Sequence, residues 1–244
     1  MISQWLGLFI TLWRNKMQPR TLVIILTILP LLACNGAYLL SAYEGYIPWC
    51  IPYIDGCTTI SRAARSGNAI FLFRVAMIAY CVFLMWFWIY SRHWLNMLHG
   101  HPTKTAHIIL WLGLAGTISL IIYIAFLGTT GVVNSFMRRF GIMIFFTLTP
   151  LAQLLMLNQH YNILRKKPEV SIKPRVLQYQ LIVLLLMLII GIISTLLGVT
   201  QNKTYESENI VEWNFSLLLT LYFAGMIFIW KDFRHSFTNS AAKN

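Results

Sequence analysis

Apolar positions fall into six long runs, at roughly 21–43, 68–90, 107–128, 139–157, 177–199 and 210–230. Each is close to or above the ~20 residues an α-helix needs to cross hydrocarbon. The first, third and fifth contain no Asp, Glu, Lys or Arg; the second carries Arg74 near its start, the fourth opens beside Arg138 and Arg139, and the sixth opens at Glu212. No polar insert separates them that is long enough for another domain. The pattern predicts an all-α, polytopic membrane protein with one six-helix transmembrane domain over 21–230 and a tail over 231–244. Ahead of it, Ile2, Trp5, Leu6, Phe9, Leu12 and Trp13 follow helical spacing, with Arg14, Lys16 and then Pro19 as a breaker. Residues 1–20 therefore read as an amphipathic segment lying in the interface, or as an extension of span one.

Composition agrees. Hydrophobic residues make up 58% of the 244-residue chain and charged residues 11%, against about 25% charged in a soluble domain. A soluble enzyme, a coiled coil and a disordered chain are excluded. The net charge of +12 invites a nucleic-acid reading until the positions are placed. With both termini cytoplasmic, thirteen of the nineteen Lys and Arg fall on the inner side, among them Arg165, Lys166 and Lys167, and five of the seven acids fall on the outer side. That is the positive-inside asymmetry of a membrane protein, supplemented by attraction to anionic headgroups.

Candidate chemistry is sparse. All six histidines, His93, His99, His101, His107, His160 and His235, fall on the inner side as solvated loop residues, and the spacing around His99 and His101 matches no zinc pattern. No metal or other cofactor is expected, and an outward-acting histidine hydrolase is unsupported. Cys34 and Cys81 lie within spans as small apolar residues; Leu31-Leu32-Ala33-Cys34 is like a lipoprotein cleavage box, but apolar sequence continues to Tyr43. Cys50 and Cys57, seven residues apart in the first outer loop, are a candidate disulfide, their separation being open from sequence. Asn202-Lys203-Thr204 forms a sequon, meaningful in a eukaryote.

The first outer loop, 46–71, is the most informative stretch. It mixes aromatics and prolines with Asp55, then Arg62 and Arg65, and is expected to be an ordered cap. Two readings stand: an interfacial cap with Trp49 and Tyr53 at headgroup depth, or a lid on which Asp55, Arg62, Arg65 and Arg74 handle a lipid headgroup, the arginines gripping phosphate. Glu212 and Arg74 are ionisable groups near span ends that need partners. The sequence predicts an ion pair for Glu212, with Arg74 favoured over Arg138 and Arg139. Glu212, Ser216 and Thr220 share one face of span six.

Three short motifs carry a resemblance: Pro52-Tyr53-Ile54-Asp55-Gly56 running on to Ile70-Phe71, Gly141 to Phe146 in span four, and Val211-Glu212-Trp213 opening span six. With these the chain resembles the Frag/DRAM/Sfk family of six-span proteins, which includes damage-regulated autophagy modulators and factors of GPI-anchor lipid remodelling. Its loop departs from the family: the Ser before the Asp is missing, Pro-Pro-Glu is absent, Gly67 stands at the Glu position, and Arg62 and Arg65 are added. The resemblance implies a six-span fold and a role in lipid remodelling or membrane organisation.

The expected function is therefore that of a multi-pass integral membrane protein, in a plasma, inner or endomembrane, handling lipids by headgroup binding at its outer face without covalent catalysis. A membrane-embedded lipid-remodelling enzyme, with Asp55 or Glu212 as acid or base, and a small transporter or channel subunit are the alternatives. Expected partners are membrane lipids and a protein in the same membrane, with no nucleic acid. The topology is checked by placing single cysteines in the 162–173 loop: they are expected to be shielded from an impermeant external thiol reagent, and labelling from outside overturns the assignment.

Overall fold

Proline at a helix's first turn sacrifices no hydrogen bond, and Pro19 and Pro174 open two of the long helices in this way. The computed structural model describes residues 18–168, 170, 172–200 and 204–231. Six long helices cross the bundle: α1 (Pro19–Tyr43), α4 (Ala69–His99), α5 (Lys104–Phe126), α6 (Val132–Lys166), α7 (Pro174–Val199) and α8 (Tyr205–Ile229). Two short ones, α2 (Pro52–Asp55) and α3 (Ile60–Ala63), lie in the loop between α1 and α4. Among the described residues there is no strand. All six long helices are apolar enough to span a bilayer, and the chain is an integral, multi-pass membrane protein.

The spans begin and end close to the hydropathy runs, with two exceptions. α4 continues to His99 and α6 runs from Val132 to Lys166, because buried Trp94, Leu95 and Ile163 carry the inward stripe past the apolar run. The histidines are consequently not all solvated loop residues. His93 and His99 lie on α4 and His107 on α5. His160 is buried on α6, where its Nε2 accepts from Trp94 Nε1 at 3.2 Å. The expected interfacial segment, up to residue 17, and the tail beyond Lys231 lie outside the described residues.

The helices form a ring: α8 beside α1, then α4, α5 and α6, with α7 packed on α8 and touching α6. Without a hydrophobic drive between helices in lipid, small residues set how closely they approach. Gly113 lies under the Trp88 ring and Gly141 against the α5 backbone, where an added Cβ would be 2.6 Å from Ser119 O. At mid-depth, long polar side chains tie α6 and α7 to α8. Tyr222 Oη donates to Gln153 O at 2.9 Å, Gln153 Nε2 to Leu219 O at 3.3 Å, and Gln180 Nε2 to Tyr222 O at 3.3 Å.

α7 is the odd member. Its buried residues are Leu177, Gln180, Val183, Leu184 and Met187, and beyond Met187 none of its side chains is buried. Its second half is only exposed or half-buried, the half-buried positions being Ile190, Gly191, Ser194 and Leu197.

The close α5–α6 approach makes Gly141 a sensitive position. Gly141→Ala is expected to destabilise the bundle by about 1–3 kcal/mol, the usual range for overpacking, as measured by thermal unfolding in detergent; an unchanged midpoint contradicts this packing.

Candidate functional site

The loop from Tyr46 to Gly67 contains mostly non-helical backbone, whose N–H and C=O groups need partners wherever water is scarce. Its local structure comes from ordinary turn chemistry. Pro52 opens α2, the Asp55 carboxylate accepts from Ile51 N–H at 2.7 Å, and Gly56 takes the left-handed conformation (φ 61°) that ends it. Thr59 caps α3 by accepting from Arg62 N–H at 2.9 Å. Cys50 and Cys57 are joined by a disulfide, with Cα atoms 6.6 Å apart. Tyr38 of α1 holds the same corner, its Oη accepting from Cys50 N–H at 2.7 Å.

The loop is then fastened to the first turns of α8. Asn209 Nδ2 donates to Gly56 O at 2.6 Å, Trp213 Nε1 to Thr58 O at 2.8 Å, and Asn214 Nδ2 to Tyr53 O at 2.9 Å. Glu212 Oε1 accepts from Ser61 N–H at 3.4 Å, and the carboxylate also accepts from the Ile60 amide. With Thr59 taking Arg62 N–H, the first turn of α3 has all three of its leading amides satisfied. Contact is tight: a Cβ on Gly56 would stand 2.8 Å from the Glu206 carbonyl carbon. Trp213 is buried, with the rings of Tyr38 and Tyr53 edge-on to it at 6.1 and 5.1 Å. Tyr53 and Asn35 exchange hydrogen bonds at 3.1 and 3.3 Å. Burial raises the Tyr53 phenol above its usual value, only partly offset by Asn35, so it remains a hydroxyl.

Glu212 thus has a backbone partner, not the arginine expected from sequence. Among the described residues it makes no ion pair with Arg74 or Arg138; its carboxylate lies on the amides of α3. Arg74 turns to the far side of the cap, where its Nη2 donates to Leu127 O and its Nε is buried without a partner. Arg138 Nη1 donates to Thr129 O at 3.3 Å. Arg65 lies beside the same turn, its carbonyl 3.7 Å from where a Cβ on Gly128 would be. Arg65, Arg74 and Arg138 therefore surround the turn 127–129. Arg62 stays at the α8 side, its guanidinium 4.7 Å above the Tyr205 ring.

The acids behave oppositely. Asp55 serves its own loop, and Glu44 accepts from Asn68 N–H at 3.0 Å and Asn68 Nδ2 at 2.7 Å, fixing the start of α4. With Glu212 on α3, three carboxylates at the cap end are engaged in holding backbone. Sequence reasoning missed Asn209, Asn214, Ser61 and Asn35 here, and Gln153 and Gln180 at mid-depth. The available signal was an amide side chain within or beside an apolar run, which in lipid needs a partner.

Glu212→Ala is expected to cost about 1.5–3 kcal/mol, the range for hydrogen bonds to a charged group, and to open the 46–67 loop to protease. Glu212→Gln, which keeps an acceptor oxygen, should cost less. Exchanging Glu212 and Arg74 should not restore stability; rescue by that exchange would contradict the backbone role.

Comparison with protein-family models, with curated proteins and with solved structures gives no match.

Proposed function

We propose that the cap end of this protein binds lipid headgroups through phosphate, with Arg62, Arg65 and Arg74 as its cationic groups and without covalent catalysis. The observation that carries this reading is the division of labour between charges. Glu44, Asp55 and Glu212 are engaged by backbone amides, whereas the arginines make no ion pair among the described residues. The guanidinium groups keep N–H donors suited to bidentate contact with phosphate. Exposed Tyr46, Trp49, Ile51 and Ile54 on the cap surface match the aromatic and apolar content of a headgroup layer.

The distribution of Lys and Arg supports placing this end on the outer or luminal face. The motifs at Pro52–Gly56, Gly141–Phe146 and Val211–Trp213 support a relationship to the Frag/DRAM/Sfk family and a role in lipid remodelling or membrane organisation. The test is the double variant Arg62→Gln/Arg65→Gln in nanodiscs. Its retention of phosphatidylglycerol relative to diacylglycerol is expected to fall about ten-fold per lost charge-assisted contact, with unfolding unchanged. Equal retention by variant and parent would refute headgroup binding at the cap.

A further inference from the structure

The C-terminal end of an α-helix leaves carbonyls free and carries about half a negative charge. α5 ends at Phe126, and the turn that follows it is met by basic side chains from both neighbouring helices. From α4, Arg74 Nη2 donates to Leu127 O; from α6, Arg138 Nη1 donates to Thr129 O at 3.3 Å. The turn is also held by its own backbone, with Leu127 N–H donating to Ile124 O and Thr129 N–H to Phe126 O, each at 3.3 Å. Gly128 takes the left-handed conformation at its tip (φ 79°). Ile70 and the Arg65 carbonyl lie over that tip, so a Cβ on Gly128 would stand 2.5 Å from Ile70 Cδ1.

Capping a helix end explains only part of this arrangement. Two guanidinium groups bring two full charges to a terminus worth about half of one, and neither makes an ion pair among the described residues. Each has further N–H donors, and Arg74 Nε is buried without a partner. α6 opens nearby at Val132 with Gly131 as its N-cap, so no capping side chain offsets the positive end of that helix either. Exposed Arg65 leaves the chain at the same turn. We propose that the turn 127–129 is where this protein holds a phosphate group, between Arg74 and Arg138, and that the phosphate belongs to a phospholipid of the cap-side leaflet. Two forks on one turn supply the charge-assisted donors that a phosphate accepts. The lipid source follows from α4, where exposed Phe71, Val75, Ile78 and Val82 form one apolar stripe at i, i+4, i+7 and i+11. Arg74 borders the upper part of that stripe, five residues or ~7.5 Å inside the start of α4. A phospholipid lying along the stripe brings its phosphate to the guanidinium, whereas free phosphate gains nothing from an apolar face. This rests on the headgroup reading above and deepens it, selecting Arg74, adding Arg138, and leaving out Arg62 on the α8 side.

The test uses the full chain in nanodiscs and reads its retention of phosphatidylglycerol relative to diacylglycerol. Arg74→Gln/Arg138→Gln is expected to lower that ratio about ten-fold for each guanidinium removed, the factor for one charge-assisted contact. Arg74→Lys/Arg138→Lys keeps both charges and a donor for each carbonyl but loses the forks, so it should fall between that variant and the parent. Arg139→Gln removes the same charge from the exposed neighbour of Arg138 and should leave the ratio unchanged. Melting curves establish that each variant is folded; should the glutamine pair unfold the bundle, the lysine pair decides. Millimolar inorganic phosphate should leave the parent's ratio unchanged, and a fall to the level of the glutamine variant would assign the site to free phosphate and overturn the lipid assignment. A ratio unchanged in the folded variants, or lowered equally by Arg139→Gln, overturns the proposal. If Arg62→Gln/Arg65→Gln nonetheless loses phosphatidylglycerol, the headgroup reading stands and only its placement on this turn is lost; if that variant too is unchanged, both readings fall.

Discussion

Backbone that is neither helix nor strand must find a partner for each N–H and C=O before it can rest against hydrocarbon, and the first turns of α8 provide those partners for the stretch from Tyr53 to Ser61. Asn209, Trp213 and Asn214 donate to the carbonyls of Gly56, Thr58 and Tyr53 while Glu212 accepts from the amides that open α3. Helical spacing puts Asn209, Glu212 and Trp213 on one face at i, i+3 and i+4. The remaining features follow from that fastening. Gly56 allows the loop to lie on the α8 backbone, the disulfide closes its first corner, and the Thr204–Ser207 capping box secures the end of α8 that does the holding.

Much of the architecture was legible in the sequence because hydropathy reports how deep a residue lies. The six spans and the ordered cap are of this kind. The helix ends were less legible: α4 and α6 run on through residues such as Ser91, His99 and His160, whose polarity imitates a loop although they face protein. Glu212 stood out correctly as a charge requiring a partner, but the arginine chosen for it was wrong. Sequence displays side-chain charges and hides backbone amides, which every residue carries, so the search for a cation overlooked the N–H groups of α3. Asn209 and Asn214 were overlooked for the same reason, since their partners are carbonyls.

Charge at the cap is used in two ways. Carboxylates that might have served as acid or base hold Asn68, Ile51 and Ser61 in place. Guanidinium groups collect around the 127–129 turn and on Tyr205, with carbonyls and a ring as neighbours. The carboxylates and the guanidinium groups thus keep separate partners at this end of the bundle.

The central claim is that α8 side chains hold the cap backbone in place, and amide hydrogen exchange in lipid nanodiscs addresses it directly. The amides of Ile60, Ser61 and Arg62 are expected to exchange far more slowly than an exposed loop, with Ser61 and Ile60 losing protection in Glu212→Ala while the mid-bundle amides of α8 keep theirs. Exchange of these three amides at unstructured rates in the parent protein, or protection that survives Glu212→Ala unchanged, would contradict it.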